Sequence, residues 1–239
     1  MPTASKIPNV DTTGLVSSTI GAVTKRMRDN KLSPGDRLPS EADFARELGV
    51  SRTVVREAFR SIEAMRLIEL SAGKRAIVAA IDYSAMSPLI EHCVATEQIN
   101  IQQIYDVRRT IEMRTAALAA LRRSDQEGQR VLANAEGMHR HFDDLGQVME
   151  LDLAFHREIA MAARNPMFSL IVGAFDSVTR TTWLIGWRSR NSDDERRAMI
   201  DIHVDLARAI IAGDPQLARD HMAKHFDQSV RALLDAGIA

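Results

Sequence analysis

The apolar residues of the second half of the chain recur every three or four positions, which is the spacing that aligns side chains on one face of an α-helix. No stretch after Pro88 shows the strict alternation of a half-buried strand. This pattern predicts an all-helical bundle with breaks at Asn165-Pro166 and Gly213-Asp214-Pro215. The predicted helices cover residues 87–96, 101–121, 125–144, 147–164, 167–186, 194–212 and 215–235.

Several of these apolar faces contain an ionisable residue. The stretch "LDLAFHREIA" places Asp152 and His156 on its apolar side, and three other predicted helices do the same with Arg108, His203 and His225. Burying a charge is costly unless the group is paired or binds a metal. A single case is usually a satisfied core histidine, whereas five residues converging on one core indicate a shared site.

Three imidazoles and one carboxylate form a mixed ligand set that suits a divalent ion such as Zn, Ni or Mn. Asp152 and His156 are four residues apart, so one helix supplies both of them. We therefore predict that Asp152, His156, His203 and His225 bind a divalent metal ion. Such an ion keeps open positions if it prefers five or six contacts, and Arg108 could hold an anion there through a charge-assisted pair.

The other histidines have ordinary expected roles. His92, His139 and His141 fall in polar settings and are expected to be solvated. His221 lies one turn before His225 on a half-exposed edge. We prefer His225 as the ligand, and His221 stays the alternative.

The first part of the chain predicts a helix-turn-helix. After a flexible leader, residues 1–11, a helical pattern runs through "LVSSTIGAVTKRMRDN" and is broken at Pro34-Gly35. "SEADFARELG" is a second helix, with Ser40 as its cap and Gly49 at its end. Ser51 caps the third helix, "SRTVVREAFRSIEAMR".

Polar residues at the start of the third helix point away from its apolar face, and they are Ser51, Arg52, Thr53 and Arg56. Arginine can bind a guanine edge with two hydrogen bonds in the major groove. Serine and threonine at a helix start can bind phosphate oxygens. The pattern therefore predicts a DNA-reading helix, although a solvated surface helix is the simpler alternative.

The segment "LIELSAGKRAIVAA" predicts a small β-hairpin with Lys74 and Arg75 at its tip. Such a wing can contact the DNA backbone or the minor groove, and its presence favours DNA binding over a plain surface. The predicted winged helix-turn-helix domain covers residues 12–80, a linker covers 81–88, and the helical domain covers 89–239. The predicted fold class is mainly α.

Composition and charge exclude several classes of protein. An apolar content of 45% and a net charge of -1 fit neither a disordered chain nor a strongly basic nucleic-acid coat. The single cysteine cannot form an internal disulfide, which favours a reducing compartment. The N-terminal residues lack the apolar core of a signal peptide, and the longest apolar stretch is far shorter than the roughly 20 residues that cross a bilayer. We expect a cytoplasmic protein.

The segment "LSPGDRLPSEADFARELGVSRTVVREAFRSIEAMRLIEL" resembles the DNA-binding domain of the GntR family of bacterial transcription regulators. The resemblance assigns DNA contact to Ser51, Arg52, Thr53 and Arg56. The chain departs from the family pattern at Ala42, where a basic residue is common. It also has Gly73-Lys74-Arg75 where the family wing usually reads Gly-x-Gly.

Residues 88–236 resemble the FCD effector domain, which marks the FadR-like branch of that family. Asp152 and His156 match its "Asp-x-x-Phe-His" pattern, His203 precedes "ARAIIAGD", and His225 ends "Met-x-x-His". "Arg-x-x-x-Glu" is matched by Arg108 and the glutamate four residues later. The resemblance implies a helical bundle with a central metal that binds small carboxylates or sugar acids. Trp183 and Trp187 either line the effector pocket or serve as core or interface residues.

These patterns together predict a homodimeric, ligand-responsive transcription regulator rather than an enzyme. By resemblance it is a repressor that binds a near-palindromic double-stranded DNA operator and is released by a small anionic effector. One alternative is a metal-dependent hydrolase with an appended DNA-binding domain, although the apolar faces offer no spare general base. A second alternative is a metal that only stabilises the bundle.

Overall fold

The computed structural model describes residues 12–80 and 82–238. The chain divides into two compact units, one ending at Ala85 and the other beginning at Met86. This division falls within residues 81–88, where the sequence places the linker. The predicted leader, residues 1–11, lies outside the described residues. No helix in the described part of the chain has the length and apolarity needed to span a bilayer.

The described residues of the first unit form three helices and a two-stranded antiparallel sheet, which confirms the predicted winged helix-turn-helix class. The elements are α1 (Thr12–Asp29), α2 (Glu41–Leu48), α3 (Arg52–Ala64), β1 (Ile68–Glu69) and β2 (Ile77–Val78). Ile68 pairs with Val78 and Glu69 pairs with Ile77. The two strands are the wing.

Local capping fixes the turn between α2 and α3. Ser40 accepts a hydrogen bond from the Asp43 N–H, and the Asp43 side chain accepts one from the Ser40 N–H, which completes a capping box. Gly49 ends α2 in the left-handed conformation at φ 66°, where glycine carries no Cβ penalty. Ser51 then caps α3 by accepting a hydrogen bond from the Val54 N–H. The chain can therefore turn within a few residues.

The apolar face of α3 points into the core of the first unit. The rings of Phe44 and Phe59 meet edge to face with their centroids 5.7 Å apart. Val55 and Ile62 of α3 are fully buried in the same cluster, where Ile68 of the wing joins them. This packing anchors α3 to α2 and to the wing, so its polar face is left in solvent.

The described residues of the second unit form eight α-helices and no strand, as the sequence predicts, and a short 3₁₀ turn, Tyr83–Ala85, precedes them at the end of the first unit. They are α4 (Ser87–Ala95), α5 (Ile101–Arg122), α6 (Asp125–Arg140), α7 (Leu145–Ala162), α8 (Pro166–Ala174), α9 (Asp176–Ser189), α10 (Asp193–Ala212) and α11 (Pro215–Asp235).

The single helix predicted over residues 167–186 is wrong, because the structure breaks it at Phe175. The Phe175 N–H bonds to the Val172 carbonyl at 3.2 Å, one residue closer than an α-helix requires. The Phe175 side chain is buried with Ile104 and Val178 in a separate small cluster. Periodicity alone could not reveal this break, because apolar residues continue at helical spacing on both sides of it.

Two adjacent arginines at the C-terminal end of α5 form hydrogen bonds with the ends of two other helices. Arg122 is the last residue of α5, and Arg123 is its C-cap. Arg123 donates from Nε to the Ile210 carbonyl at 3.1 Å and from Nη2 to the Ile211 carbonyl at the end of α10. Arg122 donates from Nη1 to the Ala163 carbonyl at the end of α7 at 3.0 Å. Carbonyls in a last helical turn have no partner within their own helix, so these cations stabilise two helix ends.

We expect Arg123→Ala to lower the free energy of unfolding by about 1.5–3 kcal/mol, because hydrogen bonds to charged groups contribute about that much. Urea unfolding followed by circular dichroism measures the change. Arg114→Ala is the matched control, since Arg114 is an exposed residue of the same helix and should change stability by less than about 0.5 kcal/mol. Equal stability of the two variants would contradict the capping role.

Candidate metal centre and nucleic-acid interface

Three of the predicted ligands meet in the core of the second unit. His156 of α7, His203 of α10 and His225 of α11 are all buried, and their ligand nitrogens lie within 4.8 Å of one another. Their ring centroids are 4.5 to 6.0 Å apart. Helices α5, α7, α10 and α11 pack around this point, which brings together residues that are distant in sequence.

Asp152 joins this cluster through His203. Its Oδ1 atom lies 2.8 Å from His203 Nε2. His203 Nε2 nevertheless counts among the buried atoms without an aligned hydrogen bond. The two atoms are therefore close but not aligned for a hydrogen bond with each other. This arrangement is compatible with two atoms that would bind the same metal ion. The tight group itself comprises the three imidazoles, with Asp152 at its side.

Hydrogen bonds set the tautomers of two of the rings. His203 Nδ1 lies 2.9 Å from the Met199 carbonyl, which can only accept, so Nδ1 carries the proton. His156 Nδ1 lies 2.5 Å from Glu112 Oε2, and this ring donates to a carboxylate in the same way. The Nε2 lone pair of each neutral ring is then free. Such an outer hydrogen bond is the usual support for a metal-binding histidine.

Glu112 is a functional residue of this cluster that the apolar-face pattern missed. It is buried and accepts hydrogen bonds from both His156 and the Nε atom of Arg108, the latter at 2.9 Å. Burial acts to raise the pKa of Glu112, but Arg108 and His156 outweigh it, so the carboxyl pKa lies below its ordinary value. Its position one turn after Arg108 was the available signal, because residues four apart share a helical face.

The protonation state of His225 favours ligation. Burial, together with the neighbouring imidazoles and arginines, holds the pKa of His225 well below its ordinary value. Burial also acts to lower the pKa of His156, but the Glu112 carboxylate outweighs it and raises that pKa. His225 is therefore neutral near pH 7, which is the form that binds a metal.

The residues present fit a divalent metal ion. His156 Nε2 and His225 Nδ1 are buried without a hydrogen-bond partner, and the Asp152 carboxylate lies beside His203 Nε2 without an aligned hydrogen bond. An unsatisfied buried polar atom costs about 1–3 kcal/mol, so two such nitrogens in one place are costly in a core with no ligand. A metal ion would satisfy ring nitrogens that the protein itself leaves without partners.

Arg108 lies on the wall of the same cavity. Its Nη1 atom donates to Thr179 Oγ1 at 2.9 Å, and its guanidinium lies over the Phe226 ring at 5.2 Å from the centroid. The cavity has a volume of about 40 Å³ and is also lined by Trp183 and Trp187. These two rings stack with centroids 5.0 Å apart, so they are both core residues and cavity walls.

The remaining histidines lie outside the cluster. His92 and His141 are exposed, and His139 is half-buried with Nε2 2.8 Å from Asp201 Oδ1. His221 is also half-buried, one turn from His225, and is absent from the group of ligand nitrogens. The structure thus places His225, and not its neighbour, at the centre.

The first unit presents a basic cleft between α2, α3 and the wing. It has a volume of about 390 Å³, and its lining includes Arg52, Arg56, Lys74 and Arg75. All four side chains are exposed, as are those of Ser51 and Thr53. Four of the six residues predicted from the sequence to contact DNA therefore line one cleft, and Ser51 and Thr53 are exposed on either side of Arg52 in the chain. Arg56 Nε lies 3.5 Å from Glu41 Oε2, a contact that the sequence did not predict.

A winged helix-turn-helix with an exposed basic face, joined to a helical unit with a buried ligand cluster, defines a ligand-responsive transcription regulator. Residues 15–78 match the profile of bacterial regulatory proteins of the gntR family, and residues 103–228 match the FCD domain. The chain belongs to the GntR family, and its second unit carries an FCD domain.

Two relatives that are named as operon regulators agree with this membership, and one solved structure shares the fold. The Uxu operon transcriptional regulator of Escherichia coli (strain K12) is 30% identical over 220 residues, which cover 85% of this chain and 80% of that protein. The galactonate operon transcriptional repressor of the same organism is 26% identical over 188 residues, or 74% and 81% of the two chains. The structure of Streptococcus agalactiae GntR shares the fold, with a TM-score of 0.68 and 22% identity over 90% of this chain and 98% of its own.

We expect Glu112→Gln to weaken metal binding about 10- to 100-fold, because an outer partner of a metal-binding histidine orients the ring and increases its basicity. Zinc affinity by competition with a chromophoric chelator measures the change, and circular dichroism verifies that the variant is folded. Glu136→Gln on the exposed face of α6 is the control. A Glu112→Gln protein that binds zinc as tightly as the wild type would contradict the role of Glu112.

Proposed function

We propose that this protein is a repressor that binds a near-palindromic operator as a homodimer and leaves it when a small carboxylate or sugar acid binds the helical unit. Its DNA target places it in the cytoplasm. The observation that carries the proposal is the pairing of an exposed basic cleft in one unit with a buried three-histidine cluster in the other. The galactonate operon repressor, a relative, supports both the sign of regulation and the class of effector.

On DNA, α3 enters the major groove with Arg52 and Arg56 toward the base edges, where arginine can bind guanine with two hydrogen bonds. Ser51 and Thr53 at the helix start bind phosphate oxygens. A homodimer repeats this contact about its two-fold axis, so the operator carries two related half-sites.

The wing makes the second kind of contact with DNA. Lys74 and Arg75 are exposed at the turn between β1 and β2, next to Gly73, whose φ of +70° tightens that turn. Long cations at such a tip reach the DNA backbone or the minor groove. Their contribution is largely independent of base sequence, because phosphates carry no sequence information.

In the helical unit, Asp152, His156, His203 and His225 hold a divalent ion, with Zn, Ni or Mn as the candidates. When bound, the ion supplies a Lewis-acidic positive charge for an effector carboxylate. Arg108 binds the same carboxylate through Nη2, the one nitrogen of its guanidinium that makes no hydrogen bond to a described residue. Glu112 keeps Arg108 and His156 in place for this contact.

Regulation is a shift between two populations of the dimer. An effector can change DNA affinity only by as much as it binds one arrangement better than the other. A carboxylate that joins the cluster to Arg108 ties α5 to α7, α10 and α11, and so favours one packing of the bundle. That packing sets the separation of the two winged helices and thereby their fit to the half-sites.

The hydrolase alternative is not favoured. Among the described residues that line the cavity, Asp152 is the one carboxylate, and it lies against His203. Glu112 is committed to Arg108 and His156 and cannot accept a further proton from water without losing one of them. A general base near the ion is therefore lacking among these residues.

We expect Arg56→Ala to weaken operator binding by about 1–3 kcal/mol, the usual cost of losing one base contact. Fluorescence anisotropy with the operator selected from random DNA measures it. Arg60→Ala is the matched control, because Arg60 is an exposed arginine one turn further along the same helix. Unchanged affinity in the Arg52→Ala, Arg56→Ala double variant would refute the placement of α3.

The wing gives a contrasting result in the same assay. Replacing Lys74 and Arg75 with alanine should weaken binding to specific and non-specific DNA alike. It should also reduce the slope of log affinity against log salt by about one to two units. The reason is that DNA binding releases about one counterion fewer for each phosphate contact that is lost. An unaltered salt slope would show that the wing tip points away from DNA.

We expect His203→Ala to lose bound metal, thermal stability and effector response together, whereas Arg108→Ala should lose the effector response but keep the metal. Chelation of the wild type should lower Tm, because an ion that binds only the folded core stabilises it by mass action. Metal analysis, differential scanning fluorimetry and operator release by galactonate measure these effects.

His221→Ala is the control for the metal experiment, because His221 is half-buried one turn from the cluster and outside it. It should keep the metal and the response. Full metal content and a normal response in His203→Ala would show that the histidines are ordinary core residues. A normal response in the chelated wild type would instead show that the ion only stabilises the bundle.

A further inference from the structure

Arg190, at the C-terminal end of α9, lies at the junction of two spaces. It lines the buried cavity together with Asp152, His156 and His225. It also lines an open surface cleft of about 410 Å³, whose wall includes Glu195. Arg190 is therefore shared by the wall of the histidine cavity and the wall of the surface cleft.

The charge of Arg190 is not neutralised by a contact, unlike that of Arg108. Arg190 donates from Nη1 to the Gly186 carbonyl, and no carboxylate of a described residue forms an ion pair with it. Asp152 and Glu195 act on Arg190 only through space. Glu195 is itself occupied, because it accepts a hydrogen bond from the Asn191 N–H at 2.8 Å. A half-buried arginine without an acidic partner is available to an anion.

The charges around the cavity show how much negative charge it can take. Arg108 and Glu112 form a buried ion pair, whereas Asp152 and Arg190 line the cavity with opposite charges and no direct contact. A divalent ion would add two positive charges to this set. Because uncompensated charge in a core is costly, a dianion fits this site better than a monoanion.

The size of the buried cavity limits how much of an effector it can hold. The buried cavity has a volume of about 40 Å³, which has room for roughly one to three water-sized groups. An ion and one carboxylate fill that space. The rest of any larger effector must lie outside this space, and Arg190 lines both the cavity and the neighbouring cleft.

We propose that Arg190 is a second anion-binding residue of this site and that the effector is a dicarboxylate. One carboxylate lies in the cavity with Arg108 and the metal ligands, and the other lies at its mouth against Arg190. Arg190 is then the residue that distinguishes dicarboxylates from monocarboxylates. This inference rests on the proposed anion sensing by the helical unit.

The test uses pairs of probes that differ in one carboxylate, namely galactarate against galactonate and succinate against butyrate. Isothermal titration calorimetry of the zinc-loaded full-length chain gives the Kd of each. The fluorescence of Trp183 and Trp187 provides a second readout, because they are the two tryptophans of the chain and both line the cavity. We expect at least one dicarboxylate to bind roughly 10- to 100-fold more tightly than its partner, the value of a charge-assisted contact.

Arg190→Gln should remove that preference and leave zinc content unchanged, because Arg190 offers no ligand atom to a metal. Arg188→Gln is the matched control, since Arg188 is an exposed arginine two residues earlier on α9. It should keep the wild-type ratio of the two Kd values. The ratio compares two probes on one protein, so a small loss of stability in a variant does not affect it.

The outcomes separate this inference from the proposed function. Equal binding of both members of each pair by the wild type, or a preference that survives in Arg190→Gln, overturns the role of Arg190 alone. Zinc-loaded protein that binds none of the four probes overturns carboxylate sensing by this site, and the inference with it.

Discussion

The buried carboxylate of Glu112 is the interaction on which the site in the helical unit depends. It forms an ion pair with the guanidinium of Arg108 and accepts a hydrogen bond from Nδ1 of His156. One side chain therefore provides a partner for two buried polar groups. Without Glu112, the guanidinium of Arg108 would lie in the core without an ion pair. The His156 ring could then also rotate, so that its Nε2 lone pair would face away from His203 and His225. Both consequences are costly in a medium of low polarity. The positions of Arg108 and of the His156 ring thus both depend on this one carboxylate.

The two units meet opposite electrostatic demands. The first packs the apolar face of α3 against Phe44 and the wing, which leaves its arginines in water where they can meet an anionic polymer. The second unit buries arginine, carboxylate and imidazole side chains in its core. Each of these groups needs a hydrogen-bond or ion-pair partner there, either another side chain or a ligand. DNA binding should therefore be sensitive to salt, whereas binding in the enclosed cavity is screened much less.

The sequence predicts most of the helices and the turn between α2 and α3, but it does not predict every break or every residue of the cavity wall. The capping residues Ser40 and Ser51 predict the short turn because a cap acts within one helical turn. The break at Phe175 was missed because apolar spacing continues through it. The place of Arg190 on the cavity wall could not be predicted, because a basic residue at the end of a helix is indistinguishable in sequence from a solvated one.

The sequence by itself determined which segments are helical, where several of their caps lie and that Arg108, Asp152, His156, His203 and His225 face inward, because spacing and capping act over a few neighbouring residues. Only the tertiary structure decided that His156 meets Glu112, 44 residues away, and that Asp152 lies beside His203. It also decided that Arg190 lines both the cavity and the surface cleft. The physical reason is that these contacts depend on how whole helices pack, and no local pattern states which turn of one helix will face which turn of another.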